Sequence, residues 1–104
     1  MDYQKMIIVG NATKDAEVKQ SKGKAAYADF AVAVSRTKDQ KTFFSVRVFG
    51  KLAETCELVK KAAKVLVDGQ LDISAYTDKE GQKRINFRIL ADTYRLLQTQ
   101  RGGS

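Results

Sequence analysis

One stretch of this chain keeps a helical spacing, and the segments on both sides of it keep a period of two. Between Leu52 and Ala63, the apolar residues Leu52, Cys56, Val59 and Ala63 fall at i, i+4, i+7 and i+11, one face of a helix. Glu54, Glu57, Lys60 and Lys61 cover the rest, acids toward the start and lysines toward the end, as the helix dipole favours. Ahead of it, Met6–Val9 reads as a strand running into a turn at Gly10-Asn11. A second turn falls at Ser21-Lys22-Gly23-Lys24. Ala25 to Ser35 then alternates, with Phe30, Val32 and Val34 on one face and Asp29, Ala31 and Ala33 on the other. Phe43 to Phe49 is a third strand, ended by Gly50.

Beyond the helix, Val65 to Tyr76 is a strand with Gly69 inside it, and an interior glycine marks a bulge or a sharp bend. Thr77 to Gln82 is a hairpin loop, and Ile85, Phe87, Ile89 and Ala91 line one face of the last strand. Three strands, a helix and two strands predict a mainly β chain. The architecture expected is a five-stranded oligonucleotide-binding (OB) barrel with one α-helix between strands 3 and 4. At 104 residues there is room for one core, so residues 1–97 are expected to form one domain and residues 98–104 a flexible C-terminal segment.

Composition narrows the chemistry. There is no histidine and a single cysteine, Cys56, which lies on the apolar stripe and is expected in the core. A Cys/His zinc site, a Ser–His pair and a Cys–His pair are thereby excluded, and no cofactor is expected. Glu54 and Glu57 are a conceivable carboxylate pair, but they sit among lysines on a solvated helix face, where surface pairing is the ordinary role. The chain is not expected to be an enzyme. No apolar run approaches the roughly 20 residues of a membrane span, and no leader is visible, so the cytoplasm is the expected location. The net charge of +7 favours a polyanionic partner.

The third strand sharpens that expectation. By parity Phe44, Val46 and Val48 point one way, and Phe43, Ser45, Arg47 and Phe49 the other. The second face sets two rings around a guanidinium. Rings stack on unpaired bases and cations neutralise phosphates, a combination suited to single-stranded nucleic acid. Packing of Phe43 and Phe49 against a loop or a subunit is the plainer alternative. Tyr76 is a third candidate platform, beside the basic hairpin residues Lys79, Lys83 and Arg84, or an ordinary hairpin packing residue. The loop from Arg36 to Lys41 carries Arg36, Lys38 and Lys41, as a phosphate-contacting finger or as a solvated loop.

Four blocks in order, "VGNATKDAEV", "FGKLAETC", "KVLVDGQL" and "YTDKEGQKR", resemble the bacterial-type single-stranded DNA-binding proteins over nearly the whole chain. The resemblance implies a homotetramer that wraps single-stranded DNA without sequence preference in replication, recombination and repair. It implies stacking at Phe43, Phe49 and Tyr76, and a DNA path near Lys51, Lys60 and Lys61. There are departures: no tryptophan, a short 36–41 loop, and Asp72, Ser74 and Ala75 where members often carry basic residues. Members usually continue into a linker and an acidic tip that recruits replication and repair proteins. This chain stops at Gly102-Gly103-Ser104, so such partners are expected only of a tailed, longer chain. Three other readings share parts of the pattern. One is a dimeric primosomal accessory protein of the same fold, one an enzyme, and one a barrel that binds oligosaccharide or protein and is indifferent to salt.

Overall fold

The computed structural model describes residues 2–20, 23 and 25–98. Of the expected turn at 21–24, Ser21, Lys22 and Lys24 lie outside the described residues, as does the C-terminal segment beyond Gln98. The elements are β1 (Met6–Ala12), β2 (Glu17–Gln20), β3 (Ala26–Ser35), β4 (Lys41–Phe49), α1 (Lys51–Glu54), a 3₁₀ turn (Thr55–Leu58), β5 (Lys64–Thr77) and β6 (Lys83–Gln98). The sheet runs β1-β5-β6-β4-β3 and closes where Asn11 and Ala12 of β1 pair with Ala33 and Val32 of β3. Five strands thus form the ring of an OB barrel, with the one helix between the third and fourth of them, as the order of periods predicts. Ring closure includes one parallel pairing, Val46–Val48 of β4 with Ile89–Ala91 of β6.

Alternation places the core. Val32 of β3, Val46 and Val48 of β4, Val65 and Val67 of β5 and Ile89 of β6 point inward and are fully buried. Cys56 is buried with them, and desolvation pushes its thiol up, away from the reactive thiolate.

Three sequence expectations need correction. Gly10-Asn11 is not a turn, since β1 continues to Ala12 and changes partner there from β5 to β3. A Cβ at Gly10 would lie 2.3 Å from the Ala33 carbonyl oxygen, so the glycine serves close approach of two backbones. The additional strand β2 pairs with β3 (Glu17↔Asp29 to Gln20↔Ala26) and continues along the edge that β1 leaves. All four of its side chains are exposed, so it carries no apolar alternation to read.

The helix is also shorter than its spacing predicts. It ends after the 3₁₀ turn, because Ala62 and Ala63 bond to Ala12 at the end of β1: the Ala62 N–H donates to Ala12 O, and the Ala12 N–H donates to Ala63 O. Cys56, Val59 and Ala63 remain buried, but Lys60 and Lys61 lie past the helix and have no part in its dipole. Ile85, Phe87, Ile89 and Ala91 do share one face of β6, but only its inner end meets the core: Ile89 is buried while Ile85 and Phe87 are 60% and 57% exposed, because the β5–β6 hairpin outruns the barrel.

Gly69 behaves as an interior glycine should. The β5–β6 register shifts at Asp68/Gly69, passing from Asp68↔Thr93 to Gly69↔Ala91. A Cβ there would meet the Leu90 carbonyl oxygen at 2.2 Å and Ala91 Cα at 2.8 Å, both backbone atoms that cannot rotate away. Gly69→Ala is therefore expected to lose about 1–3 kcal/mol of stability by forcing the two strands apart. A urea midpoint equal to that of the unsubstituted chain would refute the close-approach account.

Candidate nucleic-acid interface

The outer face of β4 carries Phe43, Ser45, Arg47 and Phe49, and antiparallel pairing sets β3 residues directly beside them. The pairs are Phe43↔Ala33, Ser45↔Ala31, Arg47↔Asp29 and Phe49↔Tyr27. Phe43 is 66% and Phe49 54% exposed. At roughly 3.4 Å per residue the two rings stand about 20 Å apart. Between them Ala31, Ala33 and Ser45 are small, which leaves the sheet surface open to a flat ligand.

Arg47 is not free on this face. Its Nε and Nη2 donate to Asp29 Oδ1 and Oδ2 at 2.7 and 2.9 Å. Its guanidinium carbon lies 4.7 Å from the centre of the Tyr27 ring, a cation–π distance. The Arg47 hydrogen bond holds the Asp29 carboxyl below the usual carboxylate range, against partial burial, which acts the other way. Tyr27 is the aromatic that the sequence reading passed over. Its signal was available, since it shares the parity of Asp29, Ala31 and Ala33.

Tyr76 is 52% exposed near the end of β5, opposite Arg84. No register shift separates Gly69 from Thr77, so Asp72, Ser74 and Tyr76 share one face, opposite Arg88, Asn86 and Arg84. Arg84 is committed to its own loop, for its Nε donates to Asp78 Oδ2 at 2.8 Å. Asp78 Oδ1 accepts from the Glu80 and Gln82 backbone N–H groups, both at 2.9 Å.

The remaining cations divide by location. Lys41 begins β4 opposite Ser35, and exposed Arg36 and Lys38 sit in the adjoining loop, which Arg36 N–H to Gln40 O closes. That loop stands at the Phe43 end of the face. Lys51 follows Phe49 across Gly50, at the other end. Lys83 opens β6 opposite Thr77. Lys60 and Lys61 are held elsewhere, at the β1–β2 connection, where the Lys61 N–H donates to Asp15 Oδ1 at 2.8 Å. Among the described residues no ion pair engages the side chains of Arg36, Lys38, Lys41, Lys51, Lys60, Lys61 or Lys83.

Two further residues come from topology alone. The β4–β6 pairing starts only at Val46 and Ile89, so the earlier parts of these strands diverge and leave a cleft. Phe43, Ser45, Asn86, Phe87 and Arg88 are among its lining residues. Phe87 and Arg88 could not be assigned to this place without knowing which strands pair.

A small OB barrel with exposed rings and unpaired cations on one side is the form of a binding module. Residues 3–97 match the model of the single-strand binding protein family, and the chain belongs to that family. It is 32% identical over 107 residues to the single-stranded DNA-binding protein of Wolinella succinogenes, an alignment covering 94% of this chain and 66% of that one. It is 29% identical over 110 residues to the single-stranded DNA-binding protein of Helicobacter hepaticus, covering 97% and 65%. The chain thus spans about two thirds of the length of these relatives. Membership places it among binding proteins rather than enzymes. No helix among the described residues is long and apolar enough to cross a membrane.

The hairpin loop offers a direct titration. Arg84 first, then the Gln82 and Glu80 N–H groups, hold the Asp78 carboxyl below its ordinary value. A lowered carboxyl supports the loop at neutral pH and loses its hold only as pH falls through that lowered value. The Glu80 and Gln82 amide signals should therefore stay native through about pH 4, the ordinary aspartate range, and shift only below it. In Arg84→Gln the same shift should move to higher pH. An unchanged titration in that variant would remove Arg84 from the account.

Proposed function

We propose that this chain binds single-stranded DNA without sequence preference and shields it during replication, recombination and repair, at the nucleoid in the cytoplasm. The observation that carries the reading is the pair of exposed rings, Phe43 and Phe49, on the outer face of β4 in a member of the single-strand binding family. Exposed rings are of no use against a duplex, whose base faces are hidden, and stack readily on unpaired bases. Phe43, Phe49 and Tyr76 are the stacking platforms. Lys41, Arg36 and Lys38 draw in phosphates at one end of the face, Lys51 at the other and Lys83 on the hairpin. Lys60 and Lys61 lie off the β4 face and serve only a strand that wraps beyond it. Arg47 and Arg84 act chiefly through Asp29 and Asp78, as residues that shape the face and the loop.

Anisotropy of a labelled thymidine oligomer, with unlabelled duplex as competitor and at two salt concentrations, tests the reading. Tight, salt-sensitive binding that duplex cannot displace is expected. Phe43→Ala should weaken it by about 1–3 kcal/mol with little change in salt slope. Lys51→Gln should flatten the slope by about one contact. Unchanged affinity in Phe43→Ala would count against stacking, and salt-independent binding would favour a glycan or protein ligand.

Self-association is part of the same proposal, as a homotetramer. Ile7 is 59% exposed on the outer face of β1, beside exposed Val9, which pairs with half-buried Leu66 of β5. An apolar strand face of this kind suits a symmetric contact between copies. Light scattering should give four times the 11.6 kDa chain mass, and Ile7→Glu should lower it. Twice the chain mass would mean a dimer, as for a primosomal accessory protein, and a monomer would leave the β1 face unexplained.

A further inference from the structure

Strands β2, β3 and β4 set Glu17, Asp29 and Arg47 in one cross-strand row on the outer face. Glu17 lies 3.5 Å from Lys19, and Asp29 and Arg47 neutralise each other, so the middle of the candidate face is paired off on a chain whose formal charge is +7. The Asp29 carboxylate grips Arg47 by Nε and Nη2, at 2.7 and 2.9 Å. That edge of a guanidinium is one of the two that can take a phosphate in a two-point grip. Tyr27, at 4.7 Å beneath the guanidinium, fixes its plane. Direct pairing in the sheet keeps Asp29 beside Arg47, so the carboxylate stays near the guanidinium when a ligand arrives. Further cationic side chains stand close by: Lys14 and Arg88 line, with Asp29 and Ser45, a cleft of about 260 Å³.

We propose that Asp29 is an internal competitor for the DNA phosphate, occupying the donor edge of Arg47 that a bound strand would otherwise use and limiting how tightly this face holds DNA. The proposal rests on the single-strand reading above. A phosphate that reaches Arg47 either displaces the carboxylate or shares the guanidinium with it, and Asp29 repels it in both cases. Stacking by Phe43 and Phe49 is untouched by this competition. The face therefore holds bases more firmly at its ends than it holds phosphates at its centre.

Asp29→Asn removes the charge and keeps the shape. Its binding to a labelled thymidine oligomer should be measured across a salt series, beside Arg47→Gln and the double variant, with thermal melting to confirm folding. Asp29→Ser serves in its place if the Asn variant does not fold. Asp29→Asn is expected to tighten binding about threefold to tenfold at low salt. It should also steepen the log–log salt slope by about 0.7, the increment of one phosphate contact on a single strand. In the Arg47→Gln background the same substitution should leave the slope where it stands, because no cation is released. A folded Asp29 variant with unchanged affinity and slope would overturn the proposal, as would a steepening that persists without Arg47. If the unsubstituted chain binds the oligomer while the variant gains nothing, this proposal alone fails. If the unsubstituted chain does not bind at low salt, the single-strand reading fails and takes the proposal with it.

Discussion

Closure of a five-stranded sheet requires that some strands pass closer than side chains allow. In this chain two glycines meet that requirement. At Gly10, β1 crosses from β5 to β3 with the Ala33 carbonyl where a Cβ would be. At Gly69, β5 lies against Leu90 and Ala91 of β6 while the register shifts. The parallel pairing of β4 with β6 depends on both, since the ring must already be curved for these two strands to meet. The outer face of β4 is convex and open for that reason. A flat sheet would have offered the same side chains without the cleft at its edge.

The charge of the chain and the charge of the face are different quantities. A formal +7 draws a polyanion toward the molecule from a distance. Near the β4 surface the charges pair off, because Asp29 holds Arg47 and Lys19 lies beside Glu17, while Arg36, Lys38, Lys41 and Lys51 stand at the periphery. Arg84 and Arg47 are both spent on carboxylates, one closing a loop and one bridging two strands. Among the described residues the cations without ion-pair partners are lysines, with Arg36, Arg88 and Arg95. Such a distribution suits attraction without fixed register, because a lysine ammonium on a flexible stem accepts a phosphate in many positions.

Much of this was legible in the sequence, and the failures have definite causes. Alternation assigned the two faces of β4 residue by residue, and the order of periods named the barrel. The helix was overdrawn because an apolar stripe at i, i+4, i+7 and i+11 is also satisfied by a short helix followed by a turn that tucks Val59 and Ala63 under β1. Nothing in the stripe reveals where the backbone hydrogen bonds go. The strand β2 was invisible because its side chains are all exposed. Parity put Ile85 and Phe87 on the right face but left their exposure open, because it tells which way a side chain points, not whether a barrel is still there to receive it. Tyr27 was readable by the same parity that placed Phe43. The Asp29–Arg47 pair was not, since its existence depends on the register between β3 and β4.

The division of labour on the outer face follows from what each side chain contributes to folding. Phe43 and Phe49 are mostly exposed and add little to the core, so their replacement alters the surface and leaves the barrel in place. Arg47, Asp29 and Tyr27 are partly buried and tie two strands together, so they belong at once to the face and to the sheet beneath it. A ring that only stacks can be exchanged for another ring. A cation held by a sheet-bound carboxylate cannot be exchanged without changing what the carboxylate does. The exposed rings are therefore where such a barrel can vary its grip on bases at little cost to stability. The cross-strand row is where its grip on phosphates is constrained by the same pairing that builds the sheet.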